Sequence, residues 1–215
     1  MGAKRGRPPT FSRDELIDAA RRLGPDGISL QAVAEELGVA RTSLYWHVRH
    51  QAELGELVFA HLVHEASVGD WTPGDGATWE DWLDAYARAL RRTMLAAGDW
   101  FRYATARLFY SRHALRSADR LLAALLNADF SIEEATRALD FVTEIVWANV
   151  RASTDMPTKA GRDAFLAEID LLDVHDVPVL RQSVEARENT TVDMQFEYDL
   201  ACALAGIAAR ASVMR

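Results

Sequence analysis

The densest chemistry in this 215-residue chain lies in one stretch, residues 28–48, which reads ISLQAVAEELGVARTSLYWHV. Its apolar positions Val33, Leu37, Leu44 and Val48 can face one small core, and Gly38 stops the first of two short helices. That leaves Arg41, Thr42, Ser43, Tyr45, Trp46 and His47 facing outward on the second. Arg, Thr and Ser at an exposed helix start suit base edges in a major groove. A tyrosine and a tryptophan on a polar surface want a partner, and phosphates and thymine methyls are suitable ones.

Charge is distributed in the same sense. The net charge is -8, but residues 1–50 carry eight Lys/Arg against six Asp/Glu, a balance of +2. Residues 51–215 carry sixteen against twenty-six, a balance of -10. A basic head on an acidic body can set the head on phosphate while the body is repelled. The tail Lys4-Arg5-Gly6-Arg7-Pro8 resembles the core of an AT-hook, an extended basic arm that enters narrow AT-rich minor grooves. Glycine allows close backbone approach, and proline keeps the arm extended.

These residues need helices to position them, and helix punctuation is frequent while strand signals are nearly absent. Ser12-Arg-Asp-Glu15 is a capping box opening Leu16–Leu23, and Gly24-Pro25-Asp26-Gly27 breaks the chain. Ser29 caps Leu30–Leu37, and a third helix is expected over Arg41–His47. An amphipathic helix over 51–68 would link the head to the rest. Further helices are expected over Trp79–Ala97, from Trp100 through Phe109, and over Leu115–Leu126. A long helix opens at the Ser131–Glu134 capping box and runs to Ser153. Residues 158–188 read as less regular, with a short helix over Asp163–Leu172 and a loop at 173–178. The last helix, Val192–Ala211, carries small residues that permit close helix approach.

The motif Leu37-Gly38-Val39 followed by Leu44-Tyr45-Trp46-His47-Val48 resembles the DNA-binding head of the tetracycline-repressor family. The likeness is strong over 12–58 and extends more diffusely to the end. It implies an all-α fold: a flexible basic arm (1–11), a three-helix helix-turn-helix head (12–58) and a helical ligand-binding and dimerisation domain (59–215). The DNA-facing set it implies is Arg5, Arg7, Ser29, Gln31, Arg41, Thr42, Ser43, Tyr45, Trp46, His47 and Arg49. Two positions depart from the family pattern. Gln51 stands where a phosphate-binding lysine is common, so Arg49 takes that part. Gln31 stands where a basic base-reading residue is common, and glutamine suits adenine.

The resemblance also implies a homodimer, with the penultimate long helix and the last helix pairing across a two-fold axis. Leu139, Val142, Val146, Val150, Phe196, Leu200, Leu204 and Ile207 are the expected interface. A sensing body needs a cavity, for which Tyr86, Trp100, Phe101, Tyr103, Arg107, Phe109, Tyr110, Trp147 and Asn149 offer aromatic walls and polar anchors. Residues 104–108 read Ala-Thr-Ala-Arg-Leu and 142–146 read Val-Thr-Glu-Ile-Val, without histidines to hold a magnesium-chelated drug. No metal and no cofactor are expected.

The expected function is a repressor released from a palindromic double-stranded operator by a small hydrophobic or aromatic molecule. An activator, or a ligand-independent DNA-binding protein of the same fold, would carry the same head. Catalysis is not expected, because no glycine-rich phosphate loop, metal cluster or nucleophile elbow is present. The single cysteine, Cys202, rules out an intrachain disulfide. With no apolar run that could span a bilayer and no signal-peptide pattern, a cytoplasmic, membrane-free protein is expected.

Overall fold

The computed structural model describes residues 11–66, 71–105, 111–154, 159–173, 175–188 and 190–213. Arg5, Arg7, Arg107, Phe109 and Tyr110 lie outside the described residues. Among those described, ten α-helices and one short 3-10 turn occur, with no strand. The chain forms two compact units. The first holds Met1–Asp70 and Arg92–Ser117, and the second holds Trp71–Arg91 and Ala118–Arg215.

In the first unit, α1 spans Arg13–Gly27, α2 Leu30–Leu37, α3 Arg41–Leu44 and α4 Gln51–Ala66. The capping box at the start of α1 is complete: the Ser12 amide donates to Glu15 Oε2 at 2.7 Å, and the Glu15 amide donates to Ser12 Oγ at 3.2 Å. The Ser12 amide, and after it the Ser12 hydroxyl donating to the same oxygen, hold the Glu15 carboxyl below its ordinary pKa. Phe11 and Leu16 occupy the staple positions flanking the cap, and both are buried. α1 does not stop at Leu23. It kinks at Gly24, whose φ of 74° no β-carbon residue adopts easily, and resumes through Pro25 to Gly27.

Ser29 caps α2, its Oγ accepting from the Ala32 amide at 3.0 Å. Gly38, at φ 65°, ends it. The Gly38 amide then donates to the Glu35 carbonyl and the Val39 amide to the Ala34 carbonyl, the two bonds of a Schellman turn. α3 has four residues rather than the expected seven. Residues 45–47 form a turn, closed by the His47 and Val48 amides donating to the Leu44 carbonyl. The unit's core gathers Leu16, Ile17, Val33, Leu44, Val48, Leu54 and Val58, all nearly or wholly buried.

In the second unit, α7 (Ile132–Thr154) and α10 (Val192–Val213) pack on each other. The Ser131–Glu134 box opens α7 as expected, with the Ser131 amide donating to Glu134 Oε2 at 2.9 Å. α5 (Trp79–Ala96) and α6 (Arg112–Asn127) each contribute residues to both units. A third capping box, Thr78 with Asp81, opens α5. Residues 159–188 hold two helices, α8 (Lys159–Asp170) and α9 (Pro178–Glu188), where only one was expected. Proline at the first helical position is pre-set for a helix rather than against it. Arg181 of α9 then caps α8 by donating to the carbonyls of Ile169 and Leu172 at 2.7 and 3.1 Å.

Leu44 is the test of this head core. Leu44→Ala is expected to cost about 2–5 kcal/mol in urea unfolding. A loss under about 1 kcal/mol would mean that Leu44 does not anchor α3.

Candidate nucleic-acid interface and sensing body

A four-residue helix without a side-chain cap presents little backbone of its own, so the side chains carry the interface. Arg41 and Thr42 are exposed, Ser43 is half-buried, and Tyr45 and Trp46 are 48% and 55% exposed. Leu44 between them is wholly buried and fixes which way they face. Gln31 is exposed on α2, its Nε2 donating to Glu35 Oε1 at 2.6 Å. Base reading by Gln31 therefore requires it to leave Glu35. Ser29 is occupied as the α2 cap.

Arg49 is exposed, with its amide on Glu53 Oε2 at 2.7 Å and its guanidinium 3.6 Å from the same carboxylate. His50 Nδ1 accepts from the Glu53 amide at 3.1 Å and so caps α4, a role not foreseen from sequence. His47 departs from the outward placement expected of it. Its ring lies 5.1 Å from that of Phe11, and its Nε2 is shut off from solvent with no hydrogen-bond partner. That nitrogen does not face a phosphate in this conformation.

The nine residues expected to line a cavity are divided. Trp100, Phe101 and Tyr103 belong to the first unit, on the 3-10 turn Gly98–Tyr103. There Phe101 meets Phe59 of α4 edge-on at 6.0 Å. Tyr86, Trp147 and Asn149 belong to the second unit. Tyr86 is buried, its hydroxyl 3.3 Å from Thr143 Oγ1, and burial pushes its pKa up. Trp71 packs edge-on to both Trp82 and Tyr86, at 5.9 and 5.6 Å. This aromatic group was missed from sequence because Trp71 sits in a turn-rich loop with no periodicity to mark it.

Asn149 is spent internally. Its Oδ1 accepts from Arg91 Nε at 2.7 Å, and its Nδ2 donates to the Val192 carbonyl at 3.0 Å. Arg91 also pairs with Asp193 and lies over the Phe196 ring at 4.7 Å. Arg88 beside it is held between Asp84 and Glu197, which raises its own pKa and lowers that of Glu197.

The residues expected at a dimer interface are mostly covered within one chain. Val142, Val146, Val150, Phe196, Leu200 and Ile207 are buried there, and Leu139 and Leu204 are half-buried. A second copy cannot reach the buried six. They follow the α7–α10 contact inside the chain, which needs the same apolar periodicity as an interface would. The faces of these helices left open carry Phe141 and Tyr198, 47% and 67% exposed, with Met194, Ala201, Cys202 and Ala205.

Residues 72–211 match the family described as tetracyclin repressor-like, C-terminal domain. The chain belongs to the tetracycline-repressor family. Residues 6–46 also match the helix-turn-helix domain of resolvase. The tetracycline repressor protein class A from transposon 1721 of Escherichia coli is 29% identical over 209 residues, covering 97% of this chain and 93% of that protein. The class C repressor of Escherichia coli is 34% identical over 60% of each chain. Apo ActR from Streptomyces coelicolor superposes with a TM-score of 0.75 at 25% identity, covering 98% of this chain and all of that one. Like its family, this protein is a ligand-responsive, DNA-binding transcriptional regulator with a helix-turn-helix head and a helical C-terminal domain. Among the described residues no helix is long and apolar enough to cross a membrane.

The Asn149 geometry makes a prediction that separates packing from ligand contact. Asn149→Ala removes the acceptor of Arg91 Nε and the donor to the Val192 carbonyl, and is expected to cost about 1–3 kcal/mol of stability in urea. A variant of wild-type stability that has lost its effector response would instead place Asn149 in the effector site.

Proposed function

We propose that this chain is a homodimeric repressor. In this reading α3 and the turn after it read a palindromic operator, and a small hydrophobic or aromatic effector releases it. The observation that carries the reading is the exposure of Tyr45 and Trp46, beside Arg41 and Thr42, around the buried Leu44. Such a surface suits base edges, thymine methyls and phosphates better than water. One short recognition helix rarely gives enough specific affinity alone, which favours a dimer spanning two half-sites about one helical turn apart. The open faces of α7 and α10, with Phe141 and Tyr198, are the proposed dimer contact.

The effector is proposed to meet the aromatic group of the second unit, Trp71, Trp82 and Tyr86, with Trp147 from α7. ActR of Streptomyces coelicolor, 26% identical, was crystallised with actinorhodin, which supports a small-molecule effector here. Release follows when the effector prefers a conformation whose two heads no longer fit successive major grooves. Such a protein acts in the cytoplasm without catalysis, cofactor or metal.

Selection of bound duplexes from a random DNA pool, at stated salt, tests the core of this reading. The expected outcome is a palindrome, lost on Tyr45→Ala. Enrichment of a single half-site would remove the dimer, and no enrichment by the folded protein would remove the DNA-binding assignment. The arm is tested separately: deleting residues 1–9 is expected to weaken binding and flatten its salt dependence, because Lys4, Arg5 and Arg7 release counterions from phosphate. Unchanged affinity and slope would exclude the arm.

A further inference from the structure

Gly55 stands inside α4, where glycine is a poorer helix former than alanine, and no left-handed backbone angle requires it. It is buried, and the Tyr103 ring fills the place its side chain would take. A methyl group there would overlap Cγ, Cδ1 and Cε1 of that ring. From this notch the Tyr103 hydroxyl donates to the Pro25 carbonyl at 3.1 Å. Pro25 lies just past the Gly24 kink, and Ile28 and Ser29, which begin the α2 turn, follow at once. The neighbouring Arg102 pairs with Asp26. Trp100 and Phe101 seat the same 3-10 turn, Trp100 5.9 Å from the Tyr103 ring and Phe101 against Phe59. All these groups belong to the first unit.

We infer that Tyr103 is a positioning residue of the DNA-binding unit. Seated on Gly55, it clamps the kinked end of α1 to α4 and so fixes where α2, and the α3 segment packed on it, begin. Operator affinity then depends on a side chain far along the sequence from the helix-turn-helix. The exposed Arg102–Asp26 pair is screened by solvent, while the part-buried Tyr103 hydroxyl bond carries the clamp. The inference rests on the DNA-binding reading of this unit.

The test uses the full chain and its selected operator. Tyr103→Phe removes only the hydroxyl. It is expected to weaken operator binding about fivefold, the equivalent of one hydrogen bond. Amide exchange at Asp26 and Gly27 is expected to quicken at unchanged helicity. Gly55→Ala displaces the ring and weakens binding further. The double variant Gly55→Ala/Tyr103→Ala binds no worse than Tyr103→Ala alone, because the notch is then empty.

Ser131→Ala, which removes a cap in the second unit, serves as a control that lowers stability without touching the clamp, and it keeps wild-type affinity. Wild-type affinity or unchanged exchange in Tyr103→Phe, fully additive losses in the double variant, or equal weakening in Ser131→Ala would each overturn the proposal. A wild-type chain that selects no DNA would overturn the DNA-binding reading itself. The exchange comparison involves no DNA, so the two failures are distinguishable.

Discussion

A helix of four residues cannot hold itself. Its first turn fixes several dihedrals for a single hydrogen bond, and α3 has no side-chain cap to offset that cost. Its orientation comes from burial: Leu44 within α3 and Val48 after it are both removed from solvent, and the Leu44 carbonyl closes the following turn. The rest of the head serves these two side chains. Gly38 turns the chain sharply enough for α3 to pack back on α2. The first turns of α1 and α4 bring Leu16 and Leu54 into the same core. Only under that restraint can Tyr45 and Trp46 stay on a polar surface, aimed outward, without collapsing onto the protein.

What was legible in the sequence was what is decided locally. The caps at Ser12, Ser29 and Ser131 and the stop at Gly38 each depend on residues within four positions, and each formed where expected. Features decided at a distance were not legible. The kink at Gly24 is passed by a helix that resumes, and the carbonyl of Pro25 there accepts from the hydroxyl of Tyr103, 78 residues further on. α9 was missed because residues 173–178 were read as a loop, although Pro178 at the first helical position lacks only a bond the helix never makes. The Val142, Val146 and Val150 stripe shows the limit of periodicity. It states that a face is covered, not by what. Trp100, Phe101 and Tyr103 follow Tyr86 closely in sequence, yet they belong to the other unit, where the chain uses them to build the head.

The second unit solves its packing with charge. Arg91 is only 16% exposed in its side chain, and a guanidinium at that depth must be paired and hydrogen-bonded to be tolerated. Asn149 and Asp193 do this, while the Phe196 ring takes the guanidinium face. Asn149 then spends its amide on Val192, at the start of α10. One residue of α5 thus specifies the register of α7 and α10 at a single level. An apolar contact there would tolerate sliding, since the alanines and valines of those helices repeat at helical spacing. Sliding α10 by one residue would part Asn149 from the Val192 carbonyl and Arg91 from Asp193.

Charge also limits how the head can hold a phosphate backbone. Residues 11–50 contain five arginines, and three of them are committed: Arg21 to Glu65, Arg22 to Glu36 and Arg49 to Glu53. Residues 8–50 carry five Lys/Arg against six Asp/Glu, so the positive balance of the N-terminal quarter resides in Lys4, Arg5 and Arg7. A globular head with so little uncommitted positive charge must draw on hydroxyl, amide and aromatic contacts for its specificity. On the proposed DNA-binding reading, the counterion-release part of its affinity rests on Arg41 and on the basic arm.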